Sequence, residues 1–231
     1  MVHAEIGEIP DLEIAGKRAV RILVLLLNAN MSDISSKISF LSMLNVWTAG
    51  LPLAHPNFLE GGVMNFTIRE EQPEDVESIY VLTASAFERA KHTSHTEHFI
   101  VNALRREGLL TVSLVAIEND KVIGHVAISP VTISPEATGW YGLGPISVAP
   151  HRQGLGVGTT LVKSALADLQ DKGAAGCVVL GEPEYYGRFG FRTQPNLKLL
   201  GVHQEYFQAL SFNGDLPSGT VQYHKSFDVT E

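Results

Sequence analysis

The segment Gln153-Gly154-Leu155-Gly156-Val157-Gly158 places glycine at every second position. It stands directly ahead of a stretch in which Leu161, Val162, Ala165, Leu166 and Leu169 recur at helical spacing. Upstream, Ile146-Ser147-Val148-Ala149-Pro150 reads as the end of a strand. Strand, glycine loop and helix in that order can bind an anion. Glycines let successive backbone N–H groups close on phosphate oxygens, and the helix start adds partial positive charge at the same spot. The expected ligand is therefore a phosphate group. A nucleoside-triphosphate loop would need lysine and then serine or threonine after its last glycine, but Thr159-Thr160 follow and no lysine comes before Lys163. A dinucleotide loop would need glycine three residues after Gly156, where Thr159 stands. On spacing alone, glycines making a tight turn with no ligand remain the alternative.

Other reactive side chains carry weaker signals. His92, His95 and His98 stand at three-residue steps, but such steps drift round a helix and no cysteine or acid cluster completes a zinc spacing. They read as a solvated loop and helix start, and no metal site is expected. His125 falls inside a strand pattern and reads as a satisfied core or groove residue. The single cysteine, Cys177, flanked by Gly176 and Val178-Val179-Leu180, reads as a reduced residue in a buried strand. With 17 basic against 25 acidic residues, the net charge of -8 offers no basic footprint for nucleic acid and mildly favours cationic partners such as amines.

The elements that must position these groups begin near residue 64. Before it, apolar bursts at Ile22–Leu27 and Ile38–Leu44 lack sustained periodicity, and none approaches the ~20 residues a membrane span needs. Asp11, Glu13 and Arg21 interrupt any secretory pattern, so a cytoplasmic protein without membrane partners is expected. Glu60-Gly61-Gly62 is written in purine-rich codons just before Met64, as a ribosome-binding site read through as protein would be. Residues 1–63 are thus expected to be an extension upstream of the natural start, the alternative being an amphipathic appendage. Residues 64–231 are expected to form a single domain. Asn65–Glu70 alternates as a strand, Pro73-Glu74-Asp75 opens a helix, and a second helix begins near Thr96 and ends at Gly108. Two strands between Thr111 and Val131 are joined at Asn119-Asp120, and Tyr141–Val148 is a further strand. Helix Thr159–Lys172 stops at Gly173, Cys177–Leu180 reads as a central strand, and Thr220–His224 is expected as a closing strand near the C-terminus.

Gln153, Gly156 and Gly158 match Gln/Arg-x-x-Gly-x-Gly/Ala, and the run resembles the pyrophosphate-binding motif of the GNAT superfamily of N-acetyltransferases. Tyr186-Gly187-Arg188-Phe189-Gly190-Phe191 resembles that family's Tyr-x-x-x-Gly-Phe segment. The stretches Trp140–Pro145, Val178–Phe191 and Gly219–His224 resemble its YhbS-like branch. The resemblance covers essentially all of 64–231 and none of 1–63.

The resemblance implies an α/β (α+β) fold: a mixed, twisted sheet of about seven strands, splayed between the fourth and fifth, with helices on both faces. Acetyl-CoA as cosubstrate would lie in the splay, its pantetheine arm along Ile146, Ser147 and Val148, and its pyrophosphate on Gln153, Gly154, Leu155, Gly156, Val157 and Gly158 beside Tyr185. An acetyl group would pass to a primary amine by direct attack on the thioester, with backbone N–H groups near Ile146 supporting the oxyanion. Pro145 is consistent with a bulge where the strand leaves its neighbour. Tyr186 matches the tyrosine that protonates the thiolate in many members, with a packing role as its alternative. The glutamate that some relatives keep on the fourth strand has no counterpart here, so Glu182 or a water chain is the candidate base. A non-catalytic acyl-CoA-binding sensor or regulatory module is the competing reading. Homodimers are common in the family, and the sequence leaves the acceptor amine and oligomeric state open.

Overall fold

The computed structural model describes residues 65–230 except 91, 92 and 136, so the expected extension 1–63 and His92 lie outside the described residues. Thr67–Glu70 (β1) pairs antiparallel with Val112–Glu118 (β2), which turns back into Lys121–Pro130 (β3). The turn is the expected Asn119-Asp120, whose φ values of 47° and 60° suit a two-residue hairpin. Thr132–Ser134 (β4) leads to Trp140–Val148 (β5), and Gly176–Leu180 (β6) follows a crossover helix. Arg192–Thr193 (β7), Leu197–Leu199 (β8), Phe207–Ser211 (β9) and Gly219–Gln222 (β10) complete the strands.

Seven strands form the main sheet in the order β1-β2-β3-β5-β6-β9-β7, and β4-β10-β8 make a second, three-stranded sheet. Within the main sheet β5 and β6 pair parallel and the other pairs are antiparallel, which is the expected mixed architecture. The second sheet goes beyond the sequence reading: the closing strand β10 joins β4 and β8 instead of the main sheet.

Helices cover both faces, as expected. Val157–Asp171 (α3) lies so close to β3 that a Cβ on Gly124 would sit 2.8 Å from Leu161 Cδ1 and 2.9 Å from Val157 Cγ1. Its apolar stripe, Leu161, Val162, Ala165, Leu166 and Leu169, is buried with Val112, Leu114, Ala116, Val126 and Ile128 of the sheet. Truncating one such leucine to alanine costs about 2–5 kcal/mol. On the opposite face, Val76–Phe87 (α1) and Glu97–Arg106 (α2) bury Ile79 and Val101 against Val115. Pro73 opens the single 3-10 turn before α1, where Asp75 accepts from the Gln72 N–H at 2.8 Å and from Arg69 through both carboxylate oxygens.

The splay follows from the register of β5. It pairs with β6 from Trp140↔Gly176 to Leu143↔Val179 and no further, while its pairing with β3 continues to Gly124↔Val148. Ile128 faces Leu143 but Val126 faces Ile146, so β5 carries one extra residue at Gly144-Pro145. That is the bulge expected at Pro145, and it turns the end of β5 away from β6.

Candidate active site

The cleft opens where β5 leaves β6. Ala149 N–H donates to Ile123 O at 2.9 Å, so by the alternation of an extended strand the backbone groups of Ile146 and Val148 point away from β3 and into the gap. Gln153 Nε2 takes the Val148 carbonyl at 3.0 Å, which ties the glycine loop to the strand end. The exposed amides of β5 can pair with an extended ligand much as a further strand would.

The loop meets the cleft through backbone. Gly154 and Gly156 hold φ of 74° and 86°, which a side chain disfavours. Gly158 sits close under the Tyr185 phenol, because a Cβ there would lie 2.8 Å from Tyr185 Oη and would have to push that ring aside. The first ladder bond of α3 runs from Thr160 N–H to Gly156 O at 3.0 Å, so the N–H groups of Val157, Gly158 and Thr159 precede the ladder. Three adjacent donors at a helix start suit a pyrophosphate.

The cleft has a volume of about 530 Å³. Of the residues expected to bind cofactor, Ile146, Val148, Gln153, Gly154, Gly156, Gly158 and Tyr185 line it. Ser147 does not, since its hydroxyl donates to Thr83 Oγ1 on the α1 face at 3.0 Å. Val157 turns its side chain into the core, and Leu155 points to solvent, 53% exposed. Lining residues that the sequence reading left unassigned are Ala86, Phe87 and Ala90 at the end of α1, Thr159, and Arg188. Among the described residues that line the cleft, Arg188 is the one cation and no carboxylate accompanies it, which suits an anion. Its guanidinium lies 4.6 Å from the centre of the Tyr185 ring. A cation two residues after the tyrosine pair was the available signal for it.

The two catalytic candidates sit apart from this lining. Pro183–Tyr186 (α4) starts from Glu182, which is exposed and whose carbonyl accepts from the N–H groups of Tyr185 and Tyr186. Tyr186 is buried against Gly181, edge-on to Tyr185 at 5.0 Å and to Phe191 at 6.0 Å. Burial pushes the Tyr186 phenol up, with Tyr185 and Cys177 adding to the effect, so it holds its proton. Burial also raises Tyr185, against an opposing influence from Arg188.

His95 Nδ1 lies 3.0 Å from Phe87 O and closes the end of α1, while His98 packs on Phe99 and Tyr80 with ring centres 4.0 and 4.7 Å away. Among the described residues no group of three or more His, Cys, Asp or Glu is placed to hold a metal. Cys177 is buried and its thiol is pushed up by that burial. No helix of the described residues is long and apolar enough to cross a membrane.

A sheet parted at its parallel pair, with a glycine loop and helix start at the mouth of the gap, is the architecture of an acetyltransferase. Residues 67–193 match the family model of the acetyltransferase (GNAT) domain, and the chain belongs to that family. It is 36% identical over 172 residues to the N-acetyltransferase YhbS of Escherichia coli strain K12, covering 70% of this chain and 98% of that protein. A GNAT family acetyltransferase from Brucella melitensis, solved in complex with acetyl-CoA, is 46% identical, with a TM-score of 0.64 over 71% of this chain and 98% of that one. Escherichia coli YhbS in complex with CoA superposes with a TM-score of 0.65 at 32% identity, over 75% of this chain and 98% of that one.

Proposed function

We infer that this acetyltransferase binds acetyl-CoA in the β5–β6 gap and transfers the acetyl group to a primary amine. The observation that carries the reading is the continuity of the gap: free β5 amides at one end, and the donors of residues 157–159 with Arg188 at the other. The pyrophosphate takes those donors, and Arg188 answers the cofactor's negative charge. The pantetheine arm runs along Ile146 to Val148, which brings the thioester towards the Gly144-Pro145 bulge.

A thioester is already activated, so the protein has to place a neutral amine against it, support the oxyanion and protonate the thiolate. The Ile146 N–H serves the oxyanion. Tyr186, held protonated on the β6 flank, serves the thiolate, and Tyr185 packs on the cofactor beside Gly158. Glu182, at the exposed start of α4, has less support as the base.

One observation favours the second reading, an acyl-CoA-binding sensor: among the described residues, no histidine or carboxylate lines the cleft. Incubating the protein with acetyl-CoA and a panel of primary amines, while following free thiol, decides between them. Amine-dependent thiol release supports transfer. CoA binding without release on any amine supports the sensor.

A further inference from the structure

The second wall of the gap stands without the support of the first. β6 pairs with β5 only as far as Leu143↔Val179, but its pairing with β9 runs on through Val179↔Gln208 to Leu180↔Phe207. One further bond, from Gly181 N–H to Tyr206 O at 2.9 Å, carries that ladder past the end of β6. Beyond Val179, therefore, the ladder that holds β6 in the main sheet comes from the β9 side alone.

Gln208 adds a side chain to that hold. On β9 it stands between Phe207 and Ala209, both buried, and it pairs on both flanks, with Val179 of β6 and Thr193 of β7. Gln208 is itself only 2% exposed, and its Nε2 donates to Gly181 O at 3.0 Å. Burying a side-chain amide is costly unless it is hydrogen-bonded, and strand pairing needs no amide side chain at this position. The contact reaches across 27 residues of sequence to the first residue after β6.

Gly181 is in turn the floor on which Tyr186 rests. A Cβ on residue 181 would lie 2.3 Å from Tyr186 Cε2 and 3.0 Å from Cδ2, so the phenol ring packs directly on the glycine. Between the two, Glu182 O accepts from the N–H groups of Tyr185 and Tyr186, both at 3.0 Å, which winds α4 into one turn and brings residue 186 back over residue 181. A shift of the Gly181 peptide would thus carry the phenol with it. Tyr185 and Phe191 meet the same ring edge-on, but neither touches the peptide that sets its height.

We propose that Gln208 is a positioning residue for acetyl transfer: by holding the Gly181 carbonyl it fixes the peptide under Tyr186 and keeps the phenol O–H aimed at the departing thiolate. This rests on the reading of Tyr186 as the acid. In that step the carbon–sulfur bond of the tetrahedral adduct breaks, its electron pair goes to sulfur, and the phenol proton follows it. The proton that the amine nitrogen loses restores the phenol through water.

The test is a double-mutant cycle read in kcat at saturating acetyl-CoA and amine. Gln208→Met keeps an unbranched side chain and removes the donor. Its kcat should fall by about 10-fold with CoA affinity little changed, since misplacing a reacting group by about 1 Å can cost about 10²-fold. In a Tyr186→Phe background the same substitution should cost nothing further, because no proton is left to aim. An equal loss in both backgrounds, or no loss in the unsubstituted one, overturns the positioning role and leaves Tyr186 as the acid. Full kcat in Tyr186→Phe alone, or no amine-dependent thiol release from the unsubstituted chain, overturns the underlying reading and this inference with it. Should Gln208→Met fail to fold, Gln208→Glu takes its place, since a carboxyl donates to Gly181 O only while protonated. No loss of kcat, or a loss that eases as the pH falls, supports the contact; a loss that is the same at every pH overturns it.

Discussion

Gly158 and Tyr185 touch across the mouth of the cleft: a Cβ on the glycine would sit 2.8 Å from the phenol oxygen. The start of α3 and the end of α4 thus approach so closely that a methyl group on residue 158 would have to displace the Tyr185 phenol. Gly158→Ala should weaken CoA binding by about 10-fold, an energy of roughly 1.4 kcal/mol. Tyr185→Phe in the same chain, which removes the clashing oxygen, should recover part of that loss. Calorimetric titration of the single and double variants checks this, and independent effects would mean the contact does not govern the site.

Arg188 lines the cleft and stacks on the same tyrosine. Arg188→Ala should lower CoA affinity by about 10-fold or more, since hydrogen bonds to charged groups contribute about 1.5–3 kcal/mol. The loss should narrow as salt is raised. A salt-independent loss would assign Arg188 to packing on Tyr185.

For Tyr186 the informative substitution is phenylalanine, which keeps the buried ring and removes the proton. Turnover should fall by about 10²-fold with CoA affinity little changed. Tyr185→Phe should do the reverse, changing affinity more than the saturated rate. Weakened CoA binding at full saturated rate in Tyr186→Phe would place its hydroxyl in cofactor binding.

Glu71 makes the fold sensitive to acid. Burial pushes its carboxyl up, but His125, Arg105 and Ser113 outweigh that and hold it at about 2 in the folded chain, against an ordinary value of 4.5. The stabilisation it brings is therefore full above about pH 4.5 and is lost as the pH falls towards 2. Glu71→Gln should cost on the order of 2 kcal/mol at pH 7 and flatten the fall of Tm across that window. Parallel Tm curves for the two chains would show that another group controls acid unfolding.

A chain starting at Met64 should unfold cooperatively and bind CoA as tightly as the full chain, because the family match begins at Thr67. Loss of a cooperative thermal transition would show that residues 1–63 complete the core.

Much of the fold was legible because local rules state it. Asn119-Asp120 fixed a hairpin, the stripe from Leu161 to Leu169 fixed α3 and its buried face, and Pro145 marked the bulge. The strands after Phe191 were harder to read. β7 and β8 have only two and three residues, too few to show a period, and β9 was missed although it pairs with β6 along its whole length.

The sequence by itself determined the glycine loop ahead of α3, since glycine spacing before a helix is a local backbone property that needs no partner. It also determined where β5 must leave its neighbour, because a proline in a strand removes a ladder donor. Tertiary structure alone decided which tyrosine of the adjacent pair lines the cleft: Tyr185 meets Gly158 and Tyr186 packs on Gly181, a choice made by side-chain direction on one turn of α4. It alone joined Glu71, Arg105, Ser113 and His125, which come from four separate segments and share no spacing. Such a network exists only once β1, β2, β3 and α2 have packed, and burial then sets its charges.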